Sequence, residues 1–474
     1  MSRVLTTARA EWRLHRRSRG FWLLLGLFAA LVVAAGMLNR TRQVRDRAQQ
    51  LAFQQLVRAQ WEGQPDRHPH RVSHYGTFAF KPPGPLAVFD PGVDSFSGRV
   101  QYLEAHRQNA ANFPAAAELS SAFRLGELSL AFLLQTVLPL VAIVLGCRTF
   151  ADEFESGRFR LLAGQGVSVR ALALGKLAGL AAALAPFLAL GLGAASVASL
   201  ADPAFRADPG AWARLGVIAV ALGLYAVAWL GLTIWVSARA RTTARACATL
   251  VALWLAGVVI VPRAAAVLAD ARHPLPDKSS FTAAVAAETK AHGDAHDPSD
   301  PHFVRFREET LARYGVKRVE DLPINYGGLL MAKGEELSAQ TFARHFSALG
   351  DKMQAQAAVL DRAALVAPFL AMRALSAAAA GTDLRAQLRF QREAEAYRFD
   401  FVQRLNALHR DAVRYQNDRD QKLAAENWKQ FPDFRAGPLP LREALAGTGF
   451  AWFALALWAA LPLAALARRK EWAA

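Results

Sequence analysis

Two clusters of ionisable side chains have the types and spacing to do chemistry. The first lies in "CRTFADEFESGRFRLLAGQGVSVRALALGK", residues 147–176, where Asp152, Glu153 and Glu155 fall between two long apolar runs. Paired carboxylates act as general acid and base when a water-excluding pocket separates their pKa values, or they ligate a cation. A short polar elbow offers no such pocket, and helical residues two apart diverge by about 200°. No catalytic residue is assigned. The second cluster is "KAHGDAHDPSDPHF", with His292, Asp294, His296, Asp297, Asp300 and His302. His292 and His296 would share one helical face at a spacing that suits zinc. Gly293, Pro298 and Pro301 instead mark a loop, and no HExxH pattern exists. His292, His296 and His302 are therefore candidates for weak metal capture only, a solvated loop is the preferred reading, and no metal is assigned. "DRHPHRVSH", with His68, His70 and His74, is similarly loose.

The elements that must carry these clusters follow from how charge is distributed. The chain has 474 residues, 53% hydrophobic and 20% charged, and the charges are segregated from windows nearly free of them. Such windows point to membrane spans joined by polar segments. The net charge of +17 would suggest nucleic acid in a soluble protein. Here the basic residues gather at the edges of apolar runs, a membrane-orientation signal. No recognition helix, zinc-finger spacing or aromatic RNA-binding signature accompanies them, so no nucleic acid is expected.

Six spans are expected: 21–38, 128–147, 171–200, 215–236, 246–268 and 444–467. The first, "FWLLLGLFAALVVAAGML", is about 27 Å long as a helix, enough for the hydrocarbon core. Its length and its poor cleavage site favour an uncleaved anchor over a signal peptide. Pro186 inside the third span is tolerable in a membrane bundle, where neighbours re-satisfy the freed carbonyl. Arg3, Arg9, Arg13, Arg16, Arg17 and Arg19 precede the first span. Arg148, Arg158, Arg160, Arg170 and Lys176 flank the connection 148–170, and Arg239, Arg241 and Arg245 the connection 237–245. Arg468, Arg469 and Lys470 open the tail 468–474. By the positive-inside rule all of these, with segment 1–20, are cytoplasmic, so both termini are inside. Segments 39–127, 201–214 and 269–443 are then external. The fold class expected is mainly α: a polytopic membrane protein with six transmembrane helices and a mostly helical external domain formed by two insertions.

Within the insertions, Val44, Leu51 and Leu56 form an apolar stripe at helical period, before a Pro/Gly-rich stretch of turns and extended chain. Leu384, Leu388, Phe399, Val402 and Leu405 are the inward positions expected of a long amphipathic helix. Cys147 and Cys247 sit beside basic residues at cytoplasmic span ends and are expected to be reduced, packing thiols.

The connection 148–170 mixes Phe150, Phe154, Leu161 and Leu162 with charges of both signs, as does an amphipathic element on a membrane surface. Gly157 can end one helical turn and start another. Gly175 and Gly179 make a small-xxx-small pair suited to close helix packing. An acidic pair, then Gly, then a basic leucine-rich turn, then a span opening with "GK" resembles permeases of ATP-binding cassette (ABC) transporters of the type-2 exporter class. "HYGTFAFKPPGPLAVFDPGVDSFSGRVQYLEAHRQN" and "LSAAAAGTDLRAQLRFQREAEAYRFDFVQRLNALH" resemble a bacterial subfamily with large external domains after the first and fifth spans. The resemblance implies a basic amphipathic N-terminal helix on the cytoplasmic face. It also implies that Glu153, Glu155, Ser156, Gly157, Arg158, Leu161 and Leu162 form the coupling element that docks on an ATPase. Arg158 stands where the family often has Thr.

The same resemblance implies a bacterial cytoplasmic (inner) membrane location and a dimer with a second permease copy or paralogue. Lipid, and a periplasmic protein on which work is done, are further partners it implies. The chain lacks GxxxxGK[ST], since "LALGKLAG" has neither the glycine spacing nor the hydroxyl. ATP and Mg would thus belong to a separate ATPase subunit, and this chain would carry no cofactor and no enzymatic site. A second class of function stays open: a non-transporting membrane sensor or assembly scaffold whose external domain binds a ligand or protein. The substrate-binding residues are not readable from the sequence.

Overall fold

The structure is a computed structural model that describes residues 3–109, 128–293, 295, 297 and 299–468, with the side chains of residues 163 and 468 left aside. His296 and the basic tail positions Arg469 and Lys470 lie outside the described residues.

Among the described residues, six helices are long and apolar enough to cross a membrane. The chain is a mainly helical, multi-pass membrane protein. Helix α1 (Arg3–Arg17) is separated from α2 (Arg19–Glu62) by Ser18, whose extended backbone (φ −80°, ψ 127°) breaks the helix. Helix α2 does not stop near residue 38. No Pro or Gly interrupts "NRTRQVRDRAQQLAFQQLVRAQWE", so the first span runs on as one 44-residue helix, about 66 Å long. The stripe expected on this extension is half-exposed, with Val44 at 49%, Leu51 at 47% and Leu56 at 52%. Val44 and Leu51 line a cavity of about 670 Å³ with Pro82 and Pro83, while the hairpin that follows packs Phe78 and Phe80 on Phe53.

The first insertion folds back through α3 (Pro69–Ser73) and an antiparallel pair, β1 (Thr77–Phe80) and β2 (Val100–Leu103), with Phe78 opposite Tyr102. The second span enters through a π-helical turn, Leu133–Val137, and continues as α4 (Leu138–Gly146). Pro139 has no N–H for the carbonyl four residues back, at Gln135. Tyr225 donates its hydroxyl to that oxygen at 2.8 Å, and Trp254 Nε1 serves the next one, Thr136 O, at 3.0 Å. A membrane bundle satisfies a proline-freed backbone in this way.

Two short helices, α5 (Ala151–Glu155) and α6 (Arg158–Gly164), form the connection to α7 (Val169–Leu200), the third span. Pro186 lies inside α7, which stays helical through it. The fourth span is α8 (Ala211–Ser237). The fifth comprises α9 (Thr243–Leu255), a π turn at Ala256–Ile260 and α10 (Val261–Arg272).

The second insertion holds α11 (Lys278–Ala291), α12 (Pro301–Tyr314), α13 (Tyr326–Ala363), α14 (Pro368–Ala380) and α15 (Leu384–Ala412). The sixth span, α16 (Gly449–Arg468), begins later than residue 444, because Ala444 belongs to a short helix and Gly447, at φ 79°, turns the chain between them.

The two insertions share apolar clusters. Trp61, Val72 and Ala105 of the first pack with Phe401, Val402, Leu405 and Trp428 of the second, and Ala79 and Leu103 pack with Phe390 and Ala394. On α15, Leu388, Val402 and Leu405 are buried as expected, while Leu384 and Phe399 are half-buried.

Helix α14 departs from the sequence reading, which left all of 269–443 outside the bundle. Leu370, Met372 and Leu375 share one core with Leu222 and Tyr225 of α8 and Leu455 of α16. Thirteen residues span only about 20 Å, so the helix enters the bundle without crossing it. Fully buried Arg214 fastens its end: it pairs with Asp208 at 2.6 Å and donates to Ala379 O at 3.1 Å and to Leu439 O. A cation among the last carbonyls of a helix meets the negative end of its dipole.

The cysteines also differ from expectation. Cys147, at the end of α4, and Cys247, in α9, form a disulfide with Cα atoms 5.3 Å apart. They are 100 residues apart in sequence, and only the side-by-side packing of α4 and α9 brings them together.

Candidate functional site

The connector between the second and third spans is anchored before it is exposed. Ser237 Oγ, at the end of α8, accepts the Phe150 and Ala151 N–H groups at 2.9 and 3.1 Å and donates to Cys147 O at 2.8 Å. Phe150 and Ala151 are fully buried, and Phe154 and Phe159 close the underside with rings 4.6 Å apart. Gly157 carries the turn between α5 and α6 at φ 73°, a left-handed conformation that favours glycine.

The two glutamates diverge. Glu153 turns inward, where its Oε1 accepts from Lys176 Nζ at 2.8 Å. Lys176, 4% exposed, also donates to Thr149 O at 2.9 Å, lies 3.5 Å from Glu11 of α1, and sits over the Phe150 ring. Glu155 turns outward and accepts the Thr243 N–H, the first of α9, at 2.9 Å. A carboxylate at a helix N-terminus meets an unpaired donor and the positive end of the dipole. One carboxylate thus ties the connector to the third span and α1, and the other ties it to the fifth.

Of the seven expected coupling residues, Glu155, Ser156, Gly157, Arg158 and Leu161 are exposed, whereas Glu153 and Leu162 are half-buried. Arg158 pairs with Asp152 beneath this rim, and Leu161 is 70% exposed. A cavity of about 690 Å³ opens beside it, walled by α1, the start of α2 and the connector, including Glu11, Arg158 and Lys176. Gly175 and Gly179 face α1: a methyl on Gly175 would strike Thr7, and one on Gly179 would lie 2.5 Å from Glu11 Cβ. The small-xxx-small pair therefore seats the N-terminal helix rather than another span.

The histidine candidates fall elsewhere than expected. His292 joins an ion-pair cluster with Glu288 and Arg344, at 3.8 and 3.3 Å, and Glu288 also pairs with His345 at 2.6 Å. His302 opens α12, its N–H bonded to Asp300. Among the described residues, neither converges with two further ligand groups.

The residues read as loose do converge. "PHRVS" forms a helical turn with Pro69 at its start, so His70 and His74 stand four residues apart on one face. His106 joins them from beyond β2, and His68, His409 and Asp418 form a neighbouring group. In the second group His409 Nε2 lies 2.6 Å from Asp418 Oδ1, which also accepts Asn325 Nδ2 at 2.6 Å. Burial alone would raise the Asp418 carboxyl, but hydrogen bonds from His409 and Asn325, with His68 3.7 Å away, outweigh it and hold it well below the usual carboxylate range. Long-range convergence of this kind leaves only one local trace, the His-x-x-x-His spacing of residues 70 and 74.

A second cavity, about 730 Å³, lies between α11 and α13. Its mostly apolar wall includes Phe281, Met331, Phe342, Phe346 and His106. Next to it, fully buried Arg398 pairs with Glu335 at 2.6 Å and Glu395 at 2.8 Å. Burial opposes the Arg398 charge, but the two carboxylates raise its pKa above the ordinary value.

With a polytopic helical membrane fold in hand, comparison with known families adds one match. Residues 280–436 match a family model described as a domain of unknown function, DUF3526. That range runs from within α11 past α15 and leaves out the connector. Comparison with curated proteins finds no match.

Proposed function

We propose that this chain is the permease subunit of an ABC transporter of the type-2 exporter class, coupling ATP hydrolysis by a separate subunit to export or to work on a periplasmic partner. One observation carries the reading: the exposed rim Glu155–Leu161 is tied by Glu153–Lys176 and by Glu155–Thr243 to two different spans. A force on the rim reaches both helices without first bending a loop. In this reading the rim, α1 and both termini face the cytoplasm of a bacterial inner membrane. The two insertions face the periplasm, and a second permease completes the pathway. ATP and Mg sit on the ATPase.

The test is co-purification with an ABC ATPase from cells that express this chain, comparing wild type with Glu153→Ala/Glu155→Ala. The reading requires association or ATPase stimulation to fall. If both are intact in the double variant, coupling through this element is wrong. The 730 Å³ cavity favours a second reading, a membrane sensor or scaffold with a ligand-binding external domain. That reading requires ligand binding with no ATPase partner.

A further inference from the structure

We propose that His70, His74 and His106 form a three-histidine site for a divalent transition-metal ion of the zinc, copper or nickel class. The site is independent of the permease reading and stands on geometry in the insertions alone.

The nitrogens are spaced as ligands. His70 Nε2 and His74 Nε2 are 3.3 Å apart. Two nitrogens on one tetrahedral ion, with bonds of about 2.0–2.1 Å, are separated by about 3.3–3.4 Å. The His106 ring centroid lies 5.6 Å from that of His70 and 5.2 Å from that of His74, and all three ligand atoms fall within 4.8 Å of one another. With the ligand atoms within 4.8 Å of one another, His106 has at most about 1.5 Å to close to reach that tetrahedral spacing. The neighbouring group does not share this geometry: the 2.6 Å between His409 Nε2 and Asp418 Oδ1 is a direct hydrogen bond, too short for two ligands of one ion. His68, His409 and Asp418 are the buttress, and the first group is the site.

His106 is held in place for this role. It has φ 61° and is the one non-glycine residue at positive φ among the described residues. Such a conformation persists where the surroundings over-determine it, and it clusters at ligand sites. Here the His106 N–H donates to buried Glu335 Oε2 at 3.1 Å, and the same oxygen lies 3.5 Å from His106 Nδ1. A carboxylate on one ring nitrogen orients the other and raises its basicity, the usual outer shell of a metal-bound histidine. Imidazole ligands select zinc, copper and nickel over calcium or magnesium.

Three ligands with His74 exposed leave a fourth position open, as in an exchangeable rather than a purely structural site. His106 also belongs to the wall of the 730 Å³ cavity, so an occupant there would adjoin the ion.

The test uses the full chain in detergent with no tag histidines, stripped with a chelator and titrated with Co²⁺, then competed with Zn²⁺. One equivalent of Co²⁺ should bind with the visible absorption of a four-coordinate nitrogen and oxygen site, and Zn²⁺ should displace it. His74→Gln, at an exposed position, and His106→Gln should each weaken binding beyond the ~10–100-fold that loss of an outer-shell partner costs. His292→Gln/His302→Gln should bind as wild type does. Absence of stoichiometric binding in wild type overturns the proposal. So does unchanged affinity in either His74→Gln or His106→Gln, or loss only in His292→Gln/His302→Gln.

Discussion

Lys176 Nζ lies 2.8 Å from Glu153 Oε1 and 3.5 Å from Glu11 Oε2. One nearly buried ammonium, on the third span, therefore holds both the connector and the N-terminal helix. The "GK" at the start of the third span has a joint purpose. Gly175 admits α1 to the face of α7, and Lys176 binds it there.

Lys176→Ala should loosen this joint. Removing one partner of a mostly buried pair leaves the other uncompensated, and such losses cost about 3–5 kcal/mol when burial is complete. With Glu153 partly exposed, the expected loss is smaller, about 1–3 kcal/mol after screening. Thermal unfolding in detergent checks it: Lys176→Ala should melt well below wild type. Lys176→Met/Glu153→Gln should recover part of the loss, and equal melting of Lys176→Ala and wild type would contradict the pairing.

Gly179→Leu should displace α1 from α7, since even one added methyl meets Glu11 Cβ at 2.5 Å. Protease accessibility of the N-terminal segment reports this. Cleavage within α1 should accelerate in Gly179→Leu and stay slow in Gly193→Leu, where the added carbon meets open space.

The Asp418 carboxyl has a lowered folded-state pKa. Its unfolded value is about 3.9. Between the two the unfolded chain binds the extra proton, so stability rises with pH there and levels off above about pH 5. The contribution is present at neutral pH and is lost as pH falls below that window. Melting temperatures from pH 3 to 6 should show a steeper acid slope for wild type than for Asp418→Asn, and matching slopes would contradict it.

The Cys147–Cys247 bond predicts that the oxidised protein holds no reactive thiol, since the chain has two cysteines in all. Mass spectrometry after alkylation should find no label before reduction and two after it. Two labelled thiols in unreduced, denatured protein would mean that the residues are only neighbours.

Much of this architecture is legible in the sequence, because a charge-free window of about 20 residues has one outcome in a membrane, and basic edges mark its ends. The divergence of Glu153 and Glu155 also follows from their spacing of two on a helix. Their partners do not follow, since Lys176 and Thr243 come from other spans. Helix α14 was hidden by its length: thirteen residues, all apolar but Arg373 and Ser376, read equally well as a core helix of the insertion. The first span's end was hidden because "NRTRQVRDRAQQ" changes polarity without a helix breaker. Convergence of His70 and His74 on His106 depends on a hairpin and on a buried carboxylate from α13, which no local period records. His292 and His302 showed the opposite bias, a dense local pattern that the fold spreads apart.

The proposed coupling requires the exposed rim of the connector to receive an ATPase. In whole cells, a photo-crosslinking residue at Leu161 is compared with one at Leu23, 74% exposed on the first span. Coupling predicts a crosslink from position 161 to a single protein bearing ATP-binding cassette motifs, changed in yield by trapping the nucleotide state, and none from position 23. Crosslinking from 161 to lipid alone, or to proteins without an ATPase, would contradict it.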